Sequence, residues 1–314
     1  MLEGLQPIAT GALVEMTTRG FPLYHLLDND IVLFCEADEP LDATRRQRLA
    51  VHDVEHLYVR DEDTAGFYGA VASEVISRLG QTAMLEGPKA EETFELAAWG
   101  VHHMLDSPTV QNLRHGCESL GYVGEAFALN ADIVGALARW VRSDPSQAAT
   151  AVAVAAVGTA VAKEHQGLEG QRLRAVSAAL LVHDIGMTTV PDRILNKAAR
   201  LGAGEMQTVR LHVNAGLRLL RELDCLTTEM EYVVGQHHER LDGSGYPNRL
   251  RGRQIHPLGL IGGISDTFAA LISDRPYRPR NSPYEALTLM RDQMLDWFGA
   301  DLFRCLVGLM TPRR

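Results

Sequence analysis

A chain of 314 residues, 46% hydrophobic and 22% charged, has the balance of a folded protein with room for two or three packed units, which excludes a disordered or low-complexity chain. Its net charge of −10 argues against a broad DNA or RNA footprint and against attraction to an anionic membrane. A small anionic ligand stays open, because a metal ion or a few arginines reverse the field locally.

The opening MLEGLQPIAT lacks the basic segment and apolar run of a signal peptide. Residues 21–27 and 31–35 read as two strands around the turn-forming Asp28-Asn29-Asp30. A helix is expected to open at Leu41-Asp42-Ala43-Thr44, and residues 55–60 read as a third strand. The next helix carries Phe67, Val71, Val75 and Leu79 on one face. These elements make residues 1–82 a small α/β module, with no phosphate loop and no evident catalytic cluster.

From about residue 91 onward the pattern is helical. Residues 91–106, 109–120 and 122–142 carry apolar side chains at helical spacing, and Ser107-Pro108 and Asp144-Pro145 mark breaks. Residues 83–144 are therefore expected to be a helical connector and 145–314 a separate helical domain. Neighbouring helix positions point about 100° apart, so His102-His103 is expected to be a pair of surface histidines rather than a metal site. The Ala/Val-rich run of residues 148–162 is too short and too weakly apolar to span a bilayer. Cys35, Cys117, Cys225 and Cys305 are scattered, with no CxxC pair, so free thiols in a reducing cytoplasm are expected rather than disulfides or a zinc ribbon.

Four chemically loaded pieces follow in order within the last domain. His183-Asp184-Ile185-Gly186 closes an apolar helix, His212 sits in a helix expected over residues 205–220, and His237-His238 runs directly into Asp242-Gly243-Ser244-Gly245-Tyr246-Pro247. Asp266 lies within the apolar segment 258–271, where a carboxylate wants a cation or hydrogen bonds. A lone histidine on an amphipathic helix is more often a satisfied core residue than a ligand. Together, however, these imidazoles and carboxylates are the donors a two-metal site needs, and an aspartate can bridge two ions through its two oxygens.

The strings HDIG at 183–186, PDRILNK at 191–197, HHERLDGSGYP at 237–247 and SDTFAALISDRPYR at 265–278 resemble the HD-GYP branch of the HD phosphohydrolase superfamily. The resemblance covers about residues 145–314 and implies a mainly α, all-helical HD-type metal-binding bundle. It implies that His183, Asp184, His212, His237, His238 and Asp266 ligate one or two divalent ions, iron or manganese, with Asp184 as the bridge and with Asp184 and His183 central to catalysis. By the same resemblance Arg275, Arg278, Tyr246, Gly243 and Gly245 lie at the substrate. The implied reaction is hydrolysis of cyclic di-GMP, or a related cyclic dinucleotide, to pGpG and GMP in bacterial second-messenger signalling. The N-terminal strings PLYHLLDNDIVLF, PLDATRRQRL and VEHLYVR are similar to small modules that precede bacterial signalling phosphodiesterases, which fits a regulatory role, a signalling protein partner or a homodimer.

Two departures qualify the expected activity. The resemblance implies another histidine ligand about thirty residues before HDIG, but that stretch reads SQAATAVAVAAVGTAVAKEH, and Ala148, Ala149 and Thr150 offer no imidazole. His165 lies at the wrong end of that helix; His102, His103 and His115 are the upstream histidines that could lend a ligand. Met187 stands where the family has a lysine, so a substrate-facing cation is missing. The alternatives to an active enzyme are a catalytically degenerate domain that binds nucleotide or protein, and a helical scaffold resembling the related HDOD group.

Overall fold

The computed structural model describes residues 4–10, 20–27, 30–37, 39, 41–80, 88–129, 146–195, 197, 199–274 and 280–310. A four-stranded antiparallel sheet opens the chain, with strands β1 (Leu5–Ala9), β2 (Leu23–Leu27), β3 (Asp30–Cys35) and β4 (His56–Arg60) in the order β1-β4-β2-β3. In β4 the alternation is clean: Leu57 and Val59 are fully buried while His56 and Arg60 are exposed, so one face of the sheet is committed to the core. β1 was not anticipated from the sequence. Its run Leu-Gln-Pro-Ile-Ala carries a proline that argues against a strand, and the strand is tolerated because β1 lies at the sheet edge.

Helix α1 (Ala43–Val51) starts where Asp42 caps the Arg45 amide. Helix α2 (Thr64–Leu79) buries Phe67, Val71 and Val75 completely, and Leu79 nearly so, at a spacing of four. Phe67 makes edge contacts with Phe21 on the sheet side at 5.4 Å and with Trp99 at 5.1 Å. Trp99 belongs to helix α3 (Pro88–Asp106), so the sheet module shares its core with the helices that follow.

Helix α4 (Val110–Leu129) runs on through residue 121, where the sequence pattern suggested two helices meeting. Gly121 sits within it and lies against the Arg174 backbone, whose carbonyl a side chain there would crowd. The expected continuation to residue 142 falls largely outside the described residues.

Helix α5 (Gln147–Gln166), capped by Ser146, is the centre of the bundle. Every residue from Ala148 to Ala162 is buried, which is what a helix apolar on all sides requires of its surroundings. Small Ala and Gly side chains let its neighbours approach closely: α3, α4, α6 (Gly170–Leu181), α10 (Pro257–Ile272) and α12 (Ala300–Met310) all pack on it. None of the helices among the described residues is long and apolar enough to cross a membrane.

The helix expected over residues 205–220 is two helices, α7 (Ala203–Arg210) and α8 (His212–Glu222). The Leu211 amide donates to the Thr208 carbonyl, three residues back, and this tight turn redirects the chain so that His212 begins α8. Helices α9 (Thr228–Gln236) and α11 (Pro283–Gln293) complete the elements used below.

Candidate metal centre

His183 and Asp184 occupy the turn that ends α6, His212 opens α8, His237 and His238 follow the last turn of α9, and Asp266 lies in mid-α10. Four separate elements thus deliver the six residues to one place. One ligand-type atom from each of Asp184, His212, His237 and His238 lies within 4.8 Å of the others. His183 Nε2 lies 3.5 Å from Asp184 Oδ2 and 3.9 Å from Asp266 Oδ1, which extends the cluster toward a second position.

The rings are held in one orientation by the main chain. His183 Nδ1 lies 2.7 Å from the Leu180 carbonyl, His212 Nδ1 2.7 Å from that of Val209, and His237 Nδ1 3.0 Å from those of Val233 and Val234. A carbonyl only accepts, so each Nδ1 carries the proton and each Nε2 presents a lone pair. His212 Nε2 is 3.1 Å and His237 Nε2 3.4 Å from Asp184 Oδ1, and the two Nε2 atoms are 3.4 Å apart. Two lone pairs and a carboxylate facing one another repel unless a cation sits between them. Bonds of about 2.1 Å in a tetrahedral site place neighbouring donors about 3.4 Å apart, so the spacing suits a divalent ion. His183 Nε2 and Asp184 Oδ1 are moreover buried with no hydrogen-bond partner. That is the condition a metal ion relieves.

The electrostatics differ among the cluster residues. Burial would raise the Asp184 carboxyl, but His183, His212 and His237 beside it hold it well below the usual carboxylate range. Burial lowers His237 and, with the neighbouring His237, pushes His238 well down, so both favour the neutral ligand form. Burial also works to lower His212, yet its contact with Asp184 prevails and raises it.

Close backbone approaches make the arrangement possible. A Cβ on Gly186 would overlap the His212 carbonyl, so only glycine lets the turn after Asp184 lie against the start of α8. In the signature loop Gly243 has φ +77°, and a Cβ on Gly245 would come within 2.5 Å of the Glu239 and Arg240 backbone. Tyr246, at the end of that loop, stacks on His238 at 4.5 Å, and its amide donates to the His238 carbonyl.

Two supporting residues went unassigned in the sequence reading. The fully buried Glu239 accepts from the Asn248 amide at 2.7 Å and the Leu250 amide at 2.8 Å, tying the far side of the loop to the histidine pair. Arg240 donates to the His237 carbonyl at 2.9 Å while lying over Trp297 and Phe298. The signal for Glu239 was present, an acid directly behind two histidines, but its role depends on amides nine and eleven residues away.

The upstream histidines lend nothing to this cluster. His103, expected at the surface, is buried: its Nδ1 lies 2.9 Å from the Tyr68 hydroxyl, because α3 turns that face onto α2. His115 Nδ1 lies 2.9 Å from the Thr64 hydroxyl, again on the sheet side, and His102 is exposed. Ala148, Ala149 and Thr150 are buried in the first turn of α5, where Gln147 Nε2 donates to the Asp184 carbonyl at 3.0 Å. The place expected to lack a ligand thus lies beside the cluster. Met187 is half-buried in the short 3-10 helix Ile185–Thr189. Arg275 and Arg278 lie outside the described residues.

The sequence profile of the HD domain family matches residues 137–302. A cyclic di-GMP phosphodiesterase of Pseudomonas aeruginosa, PA4108, is 33% identical over 196 residues, covering 62% of this chain and 46% of that protein. A 3'3'-cGAMP-specific phosphodiesterase 1 of Vibrio cholerae is 37% identical over 128 residues, 41% of this chain and 30% of the relative. The chain therefore spans less than half the length of these relatives. Among solved structures, Bd1817, an HDG"Y"P protein from Bdellovibrio bacteriovorus, superposes with a TM-score of 0.65 at 14% identity, covering 98% of this chain and 99% of that one, a likeness of fold. With the profile covering more than half of its residues and the His-Asp cluster lying inside the match, the chain belongs to the HD domain family.

Proposed function

We propose that this protein is a metal-dependent phosphodiesterase that hydrolyses cyclic di-GMP, or a related cyclic dinucleotide, to the linear dinucleotide. The observation that carries this reading is the convergence of Asp184, His212, His237 and His238 within 4.8 Å, with Nδ1 of His212 and His237 committed to main-chain carbonyls. These four would hold one ion; His183, Asp184 and Asp266 would hold a second, with Asp184 as the bridge and iron or manganese as the metal. A divalent ion in such a site supplies Lewis acidity to a phosphoryl oxygen and acidifies water into the working pH range.

The residues of the chain do the rest. Carbonyl-anchored imidazoles stay aimed, so the donor set needs no reorganisation when the phosphodiester arrives. Asp184 is common to the two ligand sets and His183 lies beside it, 3.5 Å away, which is why they are assigned the central catalytic roles. Tyr246, seated on His238, forms one wall for the substrate, and Gly243 and Gly245 let the loop backbone come close to it. Arg275 and Arg278 are assigned to the substrate phosphates. Residues 1–82 would form the regulatory module, 83–144 the connector and 145–314 the catalytic domain, acting in the cytoplasm of a bacterium alongside a signalling partner or as a homodimer.

A second reading is favoured by a specific observation. With no imidazole at Ala148, Ala149 or Thr150 and a thioether at Met187, the second ion keeps three donors and the substrate loses a cation. Such a domain would bind the nucleotide without turning it over. Incubating the manganese- or iron-loaded protein with cyclic di-GMP and separating the products decides between them. Appearance of pGpG supports the enzyme; bound but unchanged cyclic di-GMP supports the binding module.

A further inference from the structure

A cavity of about 410 Å³ opens beside the metal centre, lined by Arg210, Leu211, Asn214, Arg249 and the loop from Gly243 to Pro247. Its size falls in the range of small-ligand sites, roughly 300–1,000 Å³. Tyr246 joins it to the metal cluster: the His238 ring stacks at 4.5 Å from the Tyr246 ring centre, and the Arg210 guanidinium lies 4.9 Å from the same centre. Arg210 ends α7, Asn214 lies in the first turn of α8, and Arg249 follows the signature loop, so the helix break at Leu211 and the loop together build the cavity.

The cavity arginines have no acidic partner among the described residues. Among the described residues no carboxylate lies within 4.0 Å of the Arg210 or Arg249 guanidinium, although the chain as a whole carries −10. Two exposed cations left unpaired at the rim of one cavity focus an anion toward it. Arg249 also holds φ at 55°, a left-handed conformation that glycine adopts without strain and arginine does not. Leu211, 61% exposed, supplies an apolar surface at the same mouth, and the exposed Asn214 amide supplies one acceptor and two donors.

We propose that Arg210, Arg249, Asn214 and Leu211 form a subsite for the second nucleotide of a cyclic dinucleotide, the half whose phosphate is not being cleaved. The two guanidiniums take that phosphate as charged forks, the Asn214 amide meets the edge of the purine, and Leu211 lies against its face. The subsite rests on the cyclic dinucleotide reading and extends it. It adds cationic contact with a doubly charged substrate to that assigned to Arg275 and Arg278.

The test is calorimetric titration of the metal-loaded full chain with cyclic di-GMP, comparing wild type with Arg210→Gln, Arg249→Gln, Asn214→Ala and, as a charge control on the same surface, Arg218→Gln. Arg218 lies beside Glu222, outside the cavity lining. Expected results are a rise in Kd of about tenfold for either cavity arginine, severalfold for Asn214→Ala, and less than twofold for Arg218→Gln. Arg210→Lys recovers part of the loss, because charge is kept while the fork is not. Metal content per chain, read in parallel, stays at the wild-type value in each cavity variant. Wild-type affinity in the Arg210 and Arg249 variants overturns the subsite while leaving the phosphodiesterase reading intact. Equal losses in Arg218→Gln overturn it as a bulk-charge effect. A metal-loaded wild type that neither binds nor cleaves cyclic di-GMP removes the functional reading itself.

Discussion

Two groups of buried or half-buried histidines in this protein have opposite surroundings. On the sheet side, His103 and His115 each turn Nδ1 to a neutral hydroxyl, Tyr68 and Thr64. In the helical domain, His183, His212 and His237 turn Nδ1 to main-chain carbonyls and Nε2 to the shared carboxylate of Asp184. Burial does not tell the groups apart, since His103 is buried as His183, His212 and His237 are. What separates them is the second ring nitrogen: at the candidate metal centre it is aimed at the Asp184 carboxylate, and those of His212 and His237 also at each other, an arrangement that favours a cation. The sheet-side pair are packing residues that join the N-terminal module to the connecting helices.

Removing the anion should break the comparison most sharply. Asp184→Asn is expected to lose bound metal and to lower hydrolysis about 10³-fold, whereas His103→Gln retains wild-type metal content. Elemental analysis of both variants checks this, and metal loss in His103→Gln would abolish the distinction drawn here.

Next in size is a pH effect on the sheet side. Burial lowers His103 from 6.5 to about 4. Between those values the unfolded chain takes up a proton that the folded chain refuses, so stability is full above pH 6.5 and falls as pH drops toward 4. The loss is on the order of 3 kcal/mol across the window. Denaturant titrations at pH 7 and pH 4.5 should show it, and His103→Gln should remove this part of the slope.

Gly186→Ala forces a methyl into the His212 carbonyl and should cost about 1–3 kcal/mol while displacing His212 from the cluster. A lower Tm together with weaker metal retention is the expected pair of results; a lower Tm alone would mean that α8 shifts without carrying His212 away. The smallest effect is expected from Glu239→Gln. Replacing a carboxylate that accepts two amides should cost about 1–2 kcal/mol and speed hydrogen exchange at Asn248 and Leu250, the amides it holds.

Much of this was legible in the residues themselves. Alternation in β4, the spacing of Phe67, Val71, Val75 and Leu79, and the all-apolar run that became the central helix follow from periodicity, since each element buries whatever face it carries. The HDIG and HHExxDGSGYP strings marked out the residues that converge at the candidate site because their donor chemistry is local and dense. Other features were out of reach. The edge strand β1 violates the usual reading of proline, and the break at Leu211 has no sequence punctuation. The cavity formed by Arg210, Asn214 and Arg249 draws on segments some forty residues apart.

The sequence by itself determined which residues could bind metal and which family they belong to, because ligand identity is carried by the side chain alone. Tertiary structure decided which histidines share a carboxylate. Periodicity can say that His103 and His212 each lie on a helix, but only the packing of α3 on α2, and of Gly186 on His212, directs one ring to a tyrosine and the other to Asp184.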